Sequence, residues 1–399
     1  MFNDNEEQLE SVIQQGLETT APAIALHCLL DGETVFEGAY GVIDPETGAV
    51  LTKEARFDLA SVTKLFTMTA FMRLVAADKV TIDSPVVAVI PEFGSSGPRP
   101  IGDKQDPHTL EMIAKPADLT NAGPVDPTTI TYRHLLTHTS GLAPWRALYE
   151  QTGPVPPTPP ESDPVTHAER LAKALALIGT YPFVDMPGRT VHYSDLGLIL
   201  LGTAVARIAE SANLAEAIEK LVLQAIGLSR TQYNPPNPAL CVPTEFDARW
   251  RKRRIRGQVH DENAAGLGGI AGHAGLFGTA AEVARLGQMW LDALDAKQGA
   301  LLPAGLAREA VGEHAVTGLE RRGLGWNLRT SGVSSSGAHF SPDSFAHTGF
   351  TGTSLWVDPE RKLVVALMTN RVYHGRDAAA IIRFRPQLHD AVVEYIETI

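Results

Sequence analysis

Ser61 and Lys64, three residues apart in Phe57-Asp58-Leu59-Ala60-Ser61-Val62-Thr63-Lys64, pair a nucleophile with a base at the spacing of one helical turn. Apolar Leu65, Met68 and Met72 recur at helical spacing, and neither Gly nor Pro interrupts the chain from Leu59 to Ala77. The pattern predicts a helix opening near Ser61 with both side chains on one face. A serine before an apolar run can simply cap a helix. A capping box, however, asks for Glu or Gln three residues on, whereas Lys64 puts a cation where the helix dipole disfavours it. The dipole and burial both lower a lysine pKa, so the position predicts a neutral amine able to take the serine proton. Ser-x-x-Lys also recurs by chance, so it needs partners elsewhere in the chain.

Leu9, Val12, Ile13 and Leu17 form one stripe of an amphipathic helix over Glu6 to Leu17. Ala23 to Leu30 and Thr34 to Gly41 flank Asp31-Gly32, a hairpin signal. Pro91 to Pro127 reads as a long irregular segment, and Pro154 to Pro160 as a stiff extended loop. Between and after them, helical patterns cover Tyr132 to Leu136, Ala168 to Leu177, Asp195 to Ala209 and Leu214 to Ala225. A further helix spans Ala280 to Ala296, strands are predicted over 323–328, 353–357 and 363–368, and a closing helix over Arg376 to Ile399. Strands at both ends with helices between predict an α/β (α+β) fold: an antiparallel sheet built from both chain ends, flanked by helices, with an inserted helical region. The expected division is 1–80 with 265–399 as one discontinuous α/β domain and 81–264 as a mainly helical one, the active site lying between them.

With 399 residues and 44% hydrophobic content, the chain can bury a large core. Its net charge of -12 argues against nucleic acid or an anionic membrane as partner. The basic run from Arg249 to Arg256 reads as a solvated turn or strand edge. Cys28 and Cys241 lack metal or redox spacing and are expected as buried thiols. The acidic start Met1-Phe2-Asn3-Asp4 has no apolar signal region, and no apolar run reaches membrane-spanning length, so the expected location is the cytoplasm.

Two more motifs complete a constellation. Pro187-Gly188-Arg189-Thr190-Val191-His192-Tyr193-Ser194-Asp195 is a turn leading into a helix, exposing Tyr193. Ala346-His347-Thr348-Gly349-Phe350-Thr351-Gly352 puts glycines at a strand edge where a substrate can approach backbone N–H groups. In this order, and with Ile130 to Leu142 and Gly275-Leu276-Phe277-Gly278-Thr279-Ala280, the chain resembles the serine β-lactamase and penicillin-binding-protein superfamily. The similarity is to its class C-like branch of DD-peptidases, carboxylesterases (family VIII) and amide hydrolases.

The resemblance implies that Ser61 is acylated, Lys64 is its base and Tyr193 shares proton transfer. It places the oxyanion hole at the backbone N–H groups of Ser61 and Phe350, and Asp195, His347, Thr348, Gly349 and Phe350 around the substrate, with His347 lining the pocket and polarising the Tyr193 side. Phe350 is also expected to contact an acyl chain. No cofactor or metal is implied, and the expected ligand is a small ester or amide. One departure matters: the family's β-lactamases and peptidases usually carry Asn where this chain has Asp195, and an ionised Asp accepts hydrogen bonds without donating any. The expected activity is therefore a carboxylesterase acting on short acyl chains. A β-lactamase, a D-Ala-D-Ala carboxypeptidase or amide hydrolase, and a non-catalytic binding protein on the same fold are the alternatives. A metallohydrolase is a further rival, because His134 and His138 stand four apart and His260-Asp261-Glu262 precedes His273. His273 itself reads either as a residue bordering the pocket or, the preferred of the two, as a hydrogen-bonded spacer, and Trp326 and Trp356 read as core or pocket wall.

Overall fold

The computed structural model describes residues 4–107, 109–158, 161–332 and 334–399. Met1 to Asn3 and the last two residues of the Pro154 to Pro160 loop lie outside them. The opening stripe forms helix α1 (Asp4–Thr19), with Leu9 and Ile13 fully buried. Strands β1 (Ala23–Leu30) and β2 (Glu33–Asp44) follow, joined at Asp31 and Gly32 with φ of 49° and 89°. Positive φ at both central residues is the type I′ geometry that matches strand twist.

Helix α2 (Thr63–Ala76) opens two residues later than the sequence predicts, because a 3₁₀ turn over Ala60–Val62 precedes it. It is buried almost all round, as is α3 (Asp195–Ile208) packed beside it. Beyond them lie α4 (Ala280–Leu294), strands β3 (Phe345–Thr348), β4 (Ser354–Asp358) and β5 (Leu363–Thr369), and α5 (Ala379–Ile396).

These strands belong to a nine-stranded sheet in which C-terminal β5 lies between β4 and N-terminal β1, with Leu26 opposite Leu367. Both chain ends thus build its centre. The two-residue period of the strands splits the apolar residues between faces. Ile24, Leu26, Val365 and Leu367 pack under α1 and α5, whereas Ala25, Leu29, Val364 and Met368 face the larger core with α2 and α4. A sheet covered on both faces reads as continuous apolar runs, which is why 363–368 shows no alternation.

Several expectations change. The irregular 91–127 stretch contains a small hairpin, Lys104–Gln105 against Met112–Ile113, too short to leave a periodic signal. The helix predicted to reach Ala225 leaves α-geometry after Ile218 for a π-helical turn over Glu219–Leu223. Over 323–328 only Asn327–Leu328 is strand. The basic run is a solvated turn and strand edge only in part: Arg249 and Lys252 are exposed and Arg253–Arg254 is a short strand, but Arg251 is buried against Asp247 at 2.7 Å and donates to Val259 O, and Arg256 pairs with Asp44 at 2.9 Å. The carbonyls that receive these guanidiniums come from separate segments, invisible to composition. Cys28 and Cys241 are buried free thiols, and Trp326 and Trp356 are core. No described helix is long and apolar enough to cross a membrane.

Candidate active site

Ser61 sits in the 3₁₀ turn that introduces α2, directly after Ala60, whose φ of 45° is in the left-handed region. A non-glycine residue there stores strain that the surroundings must hold. They do so through Asp58, whose Oδ1 accepts from Ala60 N–H at 2.8 Å while Oδ2 accepts from His260 N–H at 2.6 Å. Thr351 and Thr353 donate to the Asp58 and Leu59 carbonyls at 2.8 and 3.0 Å. The end of β3 is thereby stitched to the serine turn. Gly349 makes the closest approach, since a Cβ there would lie 2.7 Å from Leu59 O. Glycine is the residue that fits, and the backbone of Gly349 and Phe350 is held beside Ser61.

Lys64, 1% exposed, projects from the first turn of α2. Its Nζ donates to Ser61 Oγ at 2.8 Å and to His273 O at 3.1 Å, and lies 2.8 Å from Asp195 Oδ1. The Tyr193 hydroxyl is a further hydrogen-bond partner, and Nζ lies 4.7 Å from the Tyr193 ring centroid. Burial alone lowers the lysine pKa, but the Asp195 carboxylate, with Tyr193, more than offsets it and the net shift is upward. This reverses the expectation of a neutral amine. The helix dipole and burial are legible in the sequence; the carboxylate that outweighs them arrives from α3.

Tyr193 and Asp195 are placed by the start of α3. Ser194 caps it, accepting from Gly197 N–H at 3.2 Å and donating to Ala143 O at 2.7 Å. His138 Nδ1 accepts from Ser194 N–H at 3.0 Å, and the His138 ring lies 4.6 Å from that of Tyr193. On the Tyr193 ring the Arg322 guanidinium adds a second cation at 5.2 Å. Nothing in the Glu320-Arg321-Arg322 sequence marks this role.

His347 does not line the cavity. It is 1% exposed, with Nδ1–H donating to Thr348 O at 2.9 Å and its ring 6.0 Å from that of Tyr193. Burial, with Lys64 and Arg322 nearby, pushes its pKa well down, so it supports Tyr193 as a neutral ring. Thr348 is half-buried at the end of β3. Phe350 does line the cavity, stacked on His260 at 5.5 Å and 23°.

The cavity, about 220 Å³, opens onto Ser61, Tyr193 and Asp195, with Trp145 and Phe350 as apolar walls. Asp261 and His273 also line it, His273 Nε2–H donating to Asp261 Oδ1 at 2.8 Å. His273 is thus hydrogen-bonded as expected and borders the pocket as well. Among the described residues, Asp195, Asp261 and His273 form the cluster whose atoms could surround a metal, within 4.8 Å of one another. The Lys64 ammonium already sets a positive charge against Asp195 there. His134 and His138 do not form a ligand pair: His134 Nδ1 caps Thr131 at 3.1 Å, and His138 holds Ser194.

The far wall carries Arg376, paired with Glu245 at 2.5 Å and with Glu262, while Glu245 also lies 3.0 Å from His260. Burial would raise the Glu245 carboxyl, but His260 and Arg376 draw it down from 4.5 to about 2. A depressed carboxyl contributes stability above its unfolded pKa and loses it as pH falls towards the folded value. Denaturant unfolding is therefore expected to lose free energy from about pH 5 to about pH 2, and Glu245→Gln should flatten that fall.

The sequence matches the Beta-lactamase family over residues 9–388. It is 30% identical over 379 residues to esterase EstB of Burkholderia gladioli, covering 90% of this chain and 88% of that one. A putative D-alanyl-D-alanine carboxypeptidase of Escherichia coli K12 is 26% identical, covering 91% and 82%. Among solved structures, EstCE1, a hydrolase with promiscuous acyltransferase activity, superposes with a TM-score of 0.71 at 22% identity, covering 97% of this chain and 98% of that one.

Proposed function

The chain belongs to the beta-lactamase family and is a serine hydrolase, and we propose that it cleaves short-chain esters through an acyl-enzyme on Ser61. The observation that supports this most strongly is the buried Lys64 ammonium bridging Ser61 Oγ and Asp195, two residues that line a small cavity with apolar walls. Ser61 Oγ attacks the ester carbonyl carbon and gives its proton to Tyr193 Oη as the Tyr193 hydroxyl passes its own proton to the alkoxy oxygen of the ester. Lys64 and Arg322 place positive charge against the ring on which that transfer turns. The tetrahedral oxyanion is received by the backbone N–H groups of Ser61 and Phe350. Collapse breaks the carbonyl–alkoxy bond, the alcohol leaves with that proton, and water repeats the sequence to release the acid. Lys64 acts in this scheme as a fixed cation and hydrogen-bond donor.

Asp195 favours esters over β-lactams and peptides. Its carboxylate is engaged by Lys64 and offers no N–H to a substrate acylamide carbonyl. An alkoxide also leaves with less protonation than an amine needs. The likeness to the esterase EstB supports this reading, and the likeness to the carboxypeptidase keeps the peptide alternative specific enough to test. The intact Ser61, Lys64 and Tyr193 arrangement speaks against a purely binding role. The expected order of kcat/KM is p-nitrophenyl acetate and butyrate above nitrocefin and a D-Ala-D-Ala peptide. A higher value for either of the last two would sink the ester assignment.

A further inference from the structure

Asp261 and His273 form a pair that the scheme above leaves unused, although both face the same cavity as Ser61. The Asp261 side chain is 23% exposed and His273 is 1% exposed. One carboxylate oxygen, Oδ1, is fully committed: it accepts from His273 Nε2–H at 2.8 Å and from Ala264 N–H at 2.7 Å, capping the helix at Glu262–Gly266. Oδ2 receives no hydrogen bond from any described residue, and the exposed part of the side chain belongs to the cavity wall.

His273 is clamped in turn. Its carbonyl accepts from Lys64 Nζ, and Gly272 O accepts from Thr67 Oγ1 at 2.9 Å, both on α2. Gly272 also packs flat on α3, where a Cβ would lie 2.0 Å from Leu198 O. The loop therefore fixes a free carboxylate oxygen relative to Lys64 and Asp195, whose own carboxylate lies within 4.8 Å. A carboxylate desolvated at this depth is costly unless paired, and the pairing spent on it is elaborate for a structural acid that leaves one oxygen facing the cavity.

We propose that Asp261 holds the water that hydrolyses the acyl-Ser61 ester, with His273 as its positioning residue; this rests on Ser61 being the acylated residue. Asp261 Oδ2 accepts one hydrogen of the water, which turns the other towards Tyr193. The water oxygen bonds to the acyl carbon and its second proton passes to Tyr193 Oη as the Tyr193 hydroxyl hands its own proton to Ser61 Oγ. The C–Oγ bond then breaks and the acid leaves. Asp261 gains no proton in this step. That agrees with its environment: burial would raise the carboxyl, but His273 and Lys64 hold it well below the usual carboxylate range. A poor base is a good fixed acceptor.

Asp261→Asn keeps the shape but turns the free acceptor into a donor. In stopped-flow hydrolysis of p-nitrophenyl butyrate by the full chain, it should show a burst of p-nitrophenolate stoichiometric with enzyme. The steady-state kcat should then fall about 10- to 100-fold with KM falling alongside, leaving kcat/KM within about threefold of wild type. His273→Gln, which retains the Asp261 charge, should give the same split more weakly, and Asp261→Glu should restore part of kcat. An Asp261→Asn enzyme with no burst, or with kcat/KM falling in step with kcat, overturns the proposal; if that variant does not fold, the His273→Gln kinetics decide it by the same two criteria. Fluorophosphonate labelling separates this from the parent assignment, because Ser61 should label at the wild-type rate in both variants. Wild-type enzyme that fails to label at Ser61 would instead refute the acyl-enzyme reading itself.

Discussion

Ser61→Ala is expected to lower kcat on p-nitrophenyl butyrate on the order of 10⁴- to 10⁶-fold, the loss seen when a nucleophile that works as one unit with its proton carriers is removed. The fold should be unaffected. Ser61 Oγ has one side-chain partner among the described residues, Lys64 Nζ, and that ammonium keeps its Asp195 and His273 contacts when the hydroxyl is gone. The strained Ala60 backbone is held by Asp58, Thr351 and Thr353, none of which touches the serine hydroxyl. Circular dichroism and the melting transition should therefore match wild type while turnover disappears. Residual activity above that range would mean that a second nucleophile is at work.

Lys64→Ala should cost kcat on the order of 10³-fold, the scale of losing one fixed donor that stabilises charge in the transition state. The reason differs from the one the sequence suggests. Lys64 is held as an ammonium by Asp195, so its loss removes the cation beside Ser61 and Tyr193 and frees a carboxylate that solvent can reach, its side chain being 18% exposed. Asp195→Asn separates charge from shape. The Lys64 pKa is raised chiefly by the Asp195 carboxylate against the lowering effect of burial. Activity that needs the ammonium is present below the lysine pKa and lost as pH rises through it, so in Asp195→Asn the alkaline limb of the kcat/KM profile should move to lower pH. A limb that stays in place would show that Lys64 is not the group titrating.

The local parts of this site were legible and the long-range parts were not. Ser61 and Lys64 lie within one turn, so spacing alone put them on one face. Tyr193 stands out in a turn leading into a helix, but its part in proton transfer comes from the resemblance to a family and not from local pattern. The charge on Lys64 could not be read locally, because it depends on α3 delivering Asp195 to within 2.8 Å. For the same reason His347 reads as a pocket residue in its motif yet is buried behind Tyr193. Asp261 and His273 drew notice through spacing that imitates a metal site, whereas the structure makes them a hydrogen-bonded pair. In the fold, the Asp31-Gly32 hairpin and the sheet formed from both termini followed from turn chemistry and strand pattern. The Lys104 to Ile113 hairpin did not, because two-residue strands leave no period, and the burial of Arg251 did not, because nothing in the run of basic residues marks which of them turns inward to Asp247.

The acyl-enzyme is best tested by intact-mass and peptide-mass spectrometry after the full chain is quenched with acid during turnover of p-nitrophenyl butyrate, and after treatment with a butyl phosphonate ester. The expected result is a single adduct of one acyl or phosphonyl group on the peptide containing Ser61, absent from Ser61→Ala. An adduct on another residue, or an active enzyme that never carries one on Ser61, would contradict the account.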